Sequence, residues 1–169
     1  MARRGSLWLT VVVWLLAVPA LAQQTRIGFV FSDGNMPGYT QAFRKLLEER
    51  PDLKGRVGLT FLSESMFDTA DPKELAGADV LIVDTMNQQL LQRFNTKHKV
   101  DLIRDVRKHG TVIAVGSGLA PKDQYIEQGV VWDDTARAFW AQSGLGNQVG
   151  LMKFAVAKAG VTNLTVPAP

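Results

Sequence analysis

The sequence predicts an α/β domain built on a mostly parallel, doubly wound sheet of the flavodoxin-like type. Four short apolar runs alternate along the chain with stretches in which apolar residues recur at helical spacing. Two of these runs, residues 80–83 and 112–115, contain no polar residue, which is typical of strands buried on both faces. Right-handed crossovers between parallel strands then favour the strand order 2-1-3-4.

The other two strands come first in the chain, at residues 27–31 and 57–62. In the second of them, Val57, Leu59 and Phe61 alternate with Gly58 and Thr60. Alternation of this kind indicates a strand that is covered on one face only or lies at the edge of the sheet.

Apolar stripes at helical spacing predict three helices between the strands. Their members are Ala42, Phe43, Leu46 and Leu47 in the first, Leu90, Leu91 and Phe94 in the second, and Leu102, Ile103 and Val106 in the third. Pro37 has the first-turn position in the first helix. Beyond residue 118 we expect a short fifth strand near Val130 and Val131, then two helices at about 133–143 and 147–159, the last capped by Asn147.

The first 22 residues have the three parts of a secretory signal peptide. Arg3 and Arg4 give a positive start, residues 7–18 are uncharged and mostly apolar, and Ala20-Leu21-Ala22 is a cleavage signal. The apolar run is shorter than the roughly 20 residues of a membrane span. We expect Sec export to the periplasm, cleavage after Ala22 and no membrane span thereafter. An uncleaved N-terminal anchor is the alternative.

Composition restricts the classes of function. Removing Arg3 and Arg4 from the 19 basic residues leaves 17 against 16 acidic residues, so no nucleic-acid partner is expected. The absence of cysteine excludes disulfides, thiolate metal sites and cysteine nucleophiles. His98 and His109 lack partners at metal-ligand spacing, so neither a metal site nor a catalytic residue is expected. After the signal peptide we expect one domain, residues 23–160, followed at 161–169 by a connector or the start of another domain.

Polar residues follow three of the predicted strands. Ser32-Asp33-Gly34-Asn35 follows the first, Asp84-Thr85-Met86-Asn87 the third, and Gly116-Ser117-Gly118 the fourth. Ligands bind open parallel sheets outside the carboxyl ends of the strands. The candidate ligand-binding residues are therefore Asp33, Asn35, Asp84, Asn87 and Ser117. The same residue types are common as turn and helix-cap residues, and both interpretations stand at this point.

Residues 139–147 place an aromatic pair, two glycines and an asparagine ahead of the last helix. Together with the loops after the first and third strands, this segment resembles the N-terminal domain of the large subunit of cobaltochelatase, the family that includes the H subunit of magnesium chelatase. Phe139-Trp140 corresponds to the family's aromatic pair, and Gly144-Leu145-Gly146-Asn147 to its Gly-Gly-x-Asn sequence. The resemblance covers essentially the whole chain after the signal peptide and a small part of the family's length.

This resemblance implies a function. The family inserts cobalt or magnesium into a tetrapyrrole at the expense of ATP, mainly with later domains and separate ATPase subunits. We therefore expect an exported domain that is non-catalytic on its own and takes part in tetrapyrrole or cobalt handling of a cobalamin-type pathway. Its partners would be the remaining chelatase large-subunit domains. Phe139 and Trp140 would stack on a flat macrocycle, or else hold the last two helices together.

A different class of function is the alternative. The domain would then be a periplasmic binding or interaction module that recruits an envelope transport protein for a metal or corrinoid, without tetrapyrrole contact. A gene fragment without independent function is a third interpretation.

Overall fold

The computed structural model of the protein describes residues 24–117 and 122–169, so the predicted signal peptide and Gly118 lie outside the described residues. Four parallel strands form one sheet in the order β2-β1-β3-β4, which confirms the predicted fold class and strand order. The strands are β1 (Thr25–Val30), β2 (Val57–Leu62), β3 (Val80–Asp84) and β4 (Thr111–Val115). All five residues of β3 are buried, whereas the middle of β2 is half-buried, as its alternating pattern predicted.

Helices cover both faces of this sheet. They are α1 (Met36–Glu49), α2 (Pro72–Ala76), α3 (Gln88–His98), α4 (Leu102–Val106), α5 (Lys122–Glu127), α6 (Asp134–Ala141) and α7 (Leu145–Lys158). Side chains alternate across the strands, so that Val80 and Ile82 pack on α1, α6 and α7, while Leu81 and Val83 pack on α2 to α5. The helices after β1 and β3 each follow a turn of 3₁₀ helix, at Asp33–Asn35 and Thr85–Asn87.

The predicted fifth strand is reduced to one bridge. Val131 pairs in parallel with Ile113, and its backbone exchanges hydrogen bonds of 2.8 and 3.0 Å with the neighbours of that residue on β4. The chain cannot extend this pairing, because Asp133 already caps α6 by accepting hydrogen bonds from the backbone N–H groups of Thr135 and Ala136.

The last helix begins earlier than the sequence predicted. Gly144, not Asn147, is its N-cap residue, and Asn147 lies inside the first turn of α7. Gly144 has a φ of 117°, a conformation that side-chain-bearing residues rarely adopt, so the turn between α6 and α7 is fixed there. The two predicted C-terminal helices are therefore present, but the first ends and the second begins two residues earlier than predicted.

Residues 161–169 lie against the domain without regular secondary structure. Val161, Leu164 and Val166 are partly buried on the core beside α1 and α7. The Arg50 guanidinium donates a 2.7 Å hydrogen bond to the carbonyl oxygen of Asn163. The role of this segment as a connector stays a prediction.

Candidate ligand-binding cleft

A cleft of about 320 Å³ opens at the carboxyl end of the sheet, where the loops after β1, β3 and β4 meet α6. It is lined by four of the predicted site residues, namely Asn35, Asp84, Ser117 and Trp140. These residues come from four separate parts of the chain and meet because parallel strands present their carboxyl ends at one edge.

Asp84 forms the buried part of the cleft. It is the last residue of β3 and is only 5% exposed. Its Oδ1 accepts a 3.1 Å hydrogen bond from the backbone N–H of Met86, which caps the 3₁₀ turn ahead of α3. Burial raises the pKa of the Asp84 carboxyl, and the hydrogen bond from Met86 opposes this rise with a smaller effect. This carboxyl therefore keeps its proton to a higher pH than an exposed aspartate does.

Gly116 makes room for that carboxyl. Asp84 pairs with Val115 across β3 and β4, so Gly116 directly follows the residue opposite Asp84. Gly116 has a φ of 82°, and a Cβ at this position would overlap the Asp84 Oδ1 atom. The glycine thus serves both the turn out of β4 and the close approach of a polar side chain.

The Trp140 ring forms one side of the cleft. Trp140 stacks on Tyr39 of α1, with ring centroids 5.5 Å apart and an interplanar angle of 15°. Burial raises the pKa of the Tyr39 hydroxyl, and the negative charge of Asp84 adds to the rise. Trp140 is only partly buried, so part of its indole surface is open to the cleft.

Arg137 is the basic residue of the cleft. Its guanidinium carbon lies 3.9 Å from the centroid of the Trp132 ring, at the distance of a cation–π contact. Within the described part of the chain, the buried Nη1 atom of Arg137 has no hydrogen-bond partner. An unpartnered buried donor is uncommon, because burial without a hydrogen bond is unfavourable.

Two predicted site residues are engaged elsewhere. Asp33 accepts hydrogen bonds of 3.0 and 2.7 Å from the backbone N–H and hydroxyl of Ser65. The hydroxyl of Ser63 and both groups of Ser65 lower the pKa of the Asp33 carboxyl. The Asn87 amide donates a 3.1 Å hydrogen bond to Glu64, and Glu64 also accepts one from the Asp33 backbone N–H. Asp33 and Asn87 therefore tie three loops together outside the cleft lining.

Phe139 lies in the core. It is 1% exposed, and its ring packs against Gly150 of α7, where a Cβ would overlap the ring. The two aromatic neighbours therefore have separate roles, since Phe139 holds α6 on α7 while Trp140 faces the cleft. Stacking of Phe139 on a ligand would require repacking of the core.

Four residues of the lining were not among the predicted site residues, namely Met86, Gly116, Arg137 and Ala141. Arg137 lies three residues before Trp140, and this helical spacing places both on one side of α6. That spacing was the available signal. Met86 lies in the 3₁₀ turn after β3, and its side chain is 64% exposed.

A larger and more open groove, of about 670 Å³, follows α3. Its cations are already engaged, since Arg93 and Lys97 lie over the Phe67 ring and Lys97 pairs with Asp68 at 2.6 Å. Among its described lining residues, no buried polar atom lacks a hydrogen-bond partner. The smaller cleft is the better candidate for a ligand because its polar groups are convergent and incompletely paired.

Over residues 24–117 and 122–169, no three His, Asp or Glu side chains come together as a potential metal-binding group. No helix in the same ranges is both long and apolar enough to cross a membrane.

Comparison of the chain with protein-family models, curated proteins and solved structures gives no significant match.

Proposed function

We propose that this protein is a non-catalytic binding module that takes one edge of a tetrapyrrole, in a pathway of cobalt or tetrapyrrole handling of the cobalamin type. The observation that supports the proposal is the convergence of Asn35, Asp84, Ser117 and Trp140 on one cleft. Polar groups beside an exposed aromatic face suit a flat ring that carries polar substituents.

The size of the cleft determines how such a ligand would bind. Its volume of about 320 Å³ is near the lower end of small-molecule sites, which span roughly 300–1,000 Å³. The cleft therefore suits the rim of a macrocycle and its side chains, while the remainder would lie outside, next to Met86. Remaining chelatase large-subunit domains would be the partners that cover the exposed part of the ring.

Binding rather than catalysis is proposed because the cleft supplies no paired acid and base. Asp84 is the carboxylate of the lining, and neither described histidine lines it. The described residues also offer no ligand set for a bare metal ion. In this proposal cobalt is therefore carried within the tetrapyrrole rather than held by protein side chains.

A fluorescence titration tests the proposal. The chain from residue 23 onward contains two tryptophans, Trp132 and Trp140, and both adjoin the cleft or its arginine. We expect a cobalt corrinoid or a porphyrin to quench this fluorescence with saturation in the micromolar range. Trp140→Phe should remove most of the saturable quenching, and free tryptophan corrects for absorption by the ligand. Absence of a saturable response up to high micromolar ligand would refute the proposal.

The proposed setting is the periplasm. Expression of the full chain followed by intact-mass measurement of the purified protein should give a mature N-terminus at Gln23. A mass that retains Met1 through Ala22, found in the membrane fraction, would support the uncleaved anchor instead.

The second candidate is an interaction module for an envelope transport protein. The open groove along α3 favours it, since Phe67 is flanked there by the cations Arg93 and Lys97. A membrane protein that is captured from envelope extract by the wild-type protein, and lost with Arg93→Glu, would support this candidate. Retention by the charge-reversed variant would contradict it.

A further inference from the structure

We infer that Arg137 is an anion-binding residue and that its guanidinium anchors a carboxylate of the ligand in the cleft. The inference rests on the proposed function and adds to it the chemical group that is recognised. The lining combines this cation with a stacking surface on Trp140, three residues later on the same helix.

The first argument is that no acidic side chain of the described residues forms an ion pair with the guanidinium. Among the described residues, seven ion pairs engage other lysines and arginines, and Arg137 belongs to none of them. Of its two acidic neighbours in the sequence, Asp134 forms none of these pairs, and Asp133 caps α6 and lies 3.7 Å from Lys158. Asp84 lines the same cleft but forms no ion pair with Arg137. Because Arg137 is partly buried and lines the cleft, its unpaired charge is available to a ligand there.

The second argument is that the guanidinium is held in place without being neutralised. Its carbon lies 3.9 Å from the centroid of the Trp132 ring, a contact that restricts the group without supplying a negative charge, and its Nη1 atom has no hydrogen-bond partner among the described residues. Trp132 itself packs beside Tyr125, with ring centroids 6.0 Å apart. A planar fork of donors that is oriented in advance matches the two oxygens of a carboxylate.

The third argument concerns which anion fits. Asp84 lies in the same cleft and, when ionised, repels a bound anion in proportion to that anion's charge, so a phosphate dianion is disfavoured more than a carboxylate with a single charge. The hydroxyl of Ser117, exposed at the cleft, is a further donor for it. The geometry therefore favours a monoanion such as a propionate or acetate side chain.

The test compares a corrinoid that carries free carboxylates with its methyl ester, using tryptophan fluorescence. We expect Arg137→Gln to weaken binding of the acid at least tenfold and to leave the already weaker binding of the ester unchanged. Arg137→Lys should give an intermediate loss, since it keeps the charge without the fork. Arg93→Gln removes the same charge outside the cleft and should change affinity less than twofold.

Each contrary result has a separate meaning. Equal binding of acid and ester by the wild-type protein overturns the inference and leaves the proposed function standing. Loss of both ligands in Arg137→Gln, with a lowered Tm, shows a structural role and also overturns it. Displacement of the corrinoid acid by inorganic phosphate but not by acetate would identify a phosphate site instead. Binding of neither ligand by the wild-type protein overturns the inference and the proposed function together.

Discussion

At the scale of single residues, the cleft is determined by Asp84 and by the space that Gly116 leaves for it. Asp84 is the last residue of a strand that is buried along its whole length, so Asp84 is buried with the rest of the strand. Its charge contributes to raising the pKa of two tyrosines on opposite sides of the sheet, Tyr39 and Tyr125. An ionised Asp84 is therefore unfavourable for the fold.

Asp84→Asn should stabilise the protein at neutral pH. Because the pKa of Asp84 is raised in the folded state, its favourable contribution is complete below the unfolded pKa and is lost as pH rises through the folded pKa. The amide keeps an oxygen for the Met86 N–H and never ionises. Urea unfolding should show the variant more stable than wild type at pH 7, with the difference shrinking toward pH 4.

Glu48→Gln makes the same change from carboxylate to amide on the exposed face of α1 and is the matched control for the effect of burial. An unchanged gap between Asp84→Asn and wild type from pH 4 to pH 7 would contradict the raised pKa.

Gly116→Ala should destabilise the fold by about 1–3 kcal/mol, the cost of a non-glycine residue in a strained backbone conformation. The new methyl group would also displace the Asp84 carboxyl. Gly34→Ala is the control, because Gly34 lies in a neighbouring loop with no atom close to the added Cβ and without a positive φ. Thermal unfolding measures both, and equal Tm values for the two variants would contradict the close approach.

At the scale of elements, the packing of α6 on α7 and β4 determines where Trp140 and Arg137 lie in the cleft. Gly150 lets α7 approach the buried Phe139 ring, and the turn at Gly144 reverses the chain between the two helices. The side of the cleft thus depends on helix packing rather than on a loop. This agrees with the greater precision of binding residues that are carried on regular elements.

Two alanine substitutions in α7 separate packing from helix propensity. Gly150→Ala should cost about 1–3 kcal/mol from overpacking against Phe139. Gly146→Ala meets no atom within 4 Å and should stabilise the helix by up to about 1 kcal/mol. Unfolding by urea measures both free energies, and a stabilising Gly150→Ala would show that the two helices are not held as closely as described.

At the scale of the whole molecule, two apolar layers enclose one sheet, and residues 161–169 add to the layer beside α1 and α7. Leu164 and Val166 pack on that layer, and neither residue lines the cleft. The segment therefore bears on the stability of the domain and is not part of the cleft lining.

Leu164→Ala should reduce the free energy of unfolding by about 1 kcal/mol, in proportion to the apolar surface that is partly buried. Thr162→Ala is exposed and should have no measurable effect. Neither substitution should alter corrinoid affinity. A Leu164→Ala variant as stable as wild type would show that the segment does not pack on the domain in solution.

The sheet could be predicted from the sequence because uninterrupted apolar runs, together with the connections between them, are compatible with few strand orders. The sequence also predicted that Asp84 and Ser117 lie at the same edge of the sheet, because both are found where a strand ends. It could not separate Asn35 from Asp33 two residues earlier, because only packing decides which side chain meets the Ser65 hydroxyl. Arg137 escaped prediction for the same reason, since its role depends on how α6 lies against the sheet.

The space between Asp84 and Gly116 also makes a prediction about evolution. These positions lie 32 residues apart in the chain, yet a methyl group at one excludes the carboxyl at the other. Among relatives of this protein, an acid at the end of the third strand should occur together with a glycine after the fourth strand. Where the acid is replaced, another residue should be found in place of the glycine only if the turn no longer requires a positive φ. This paired requirement is a fingerprint by which distant relatives that keep the cleft can be recognised.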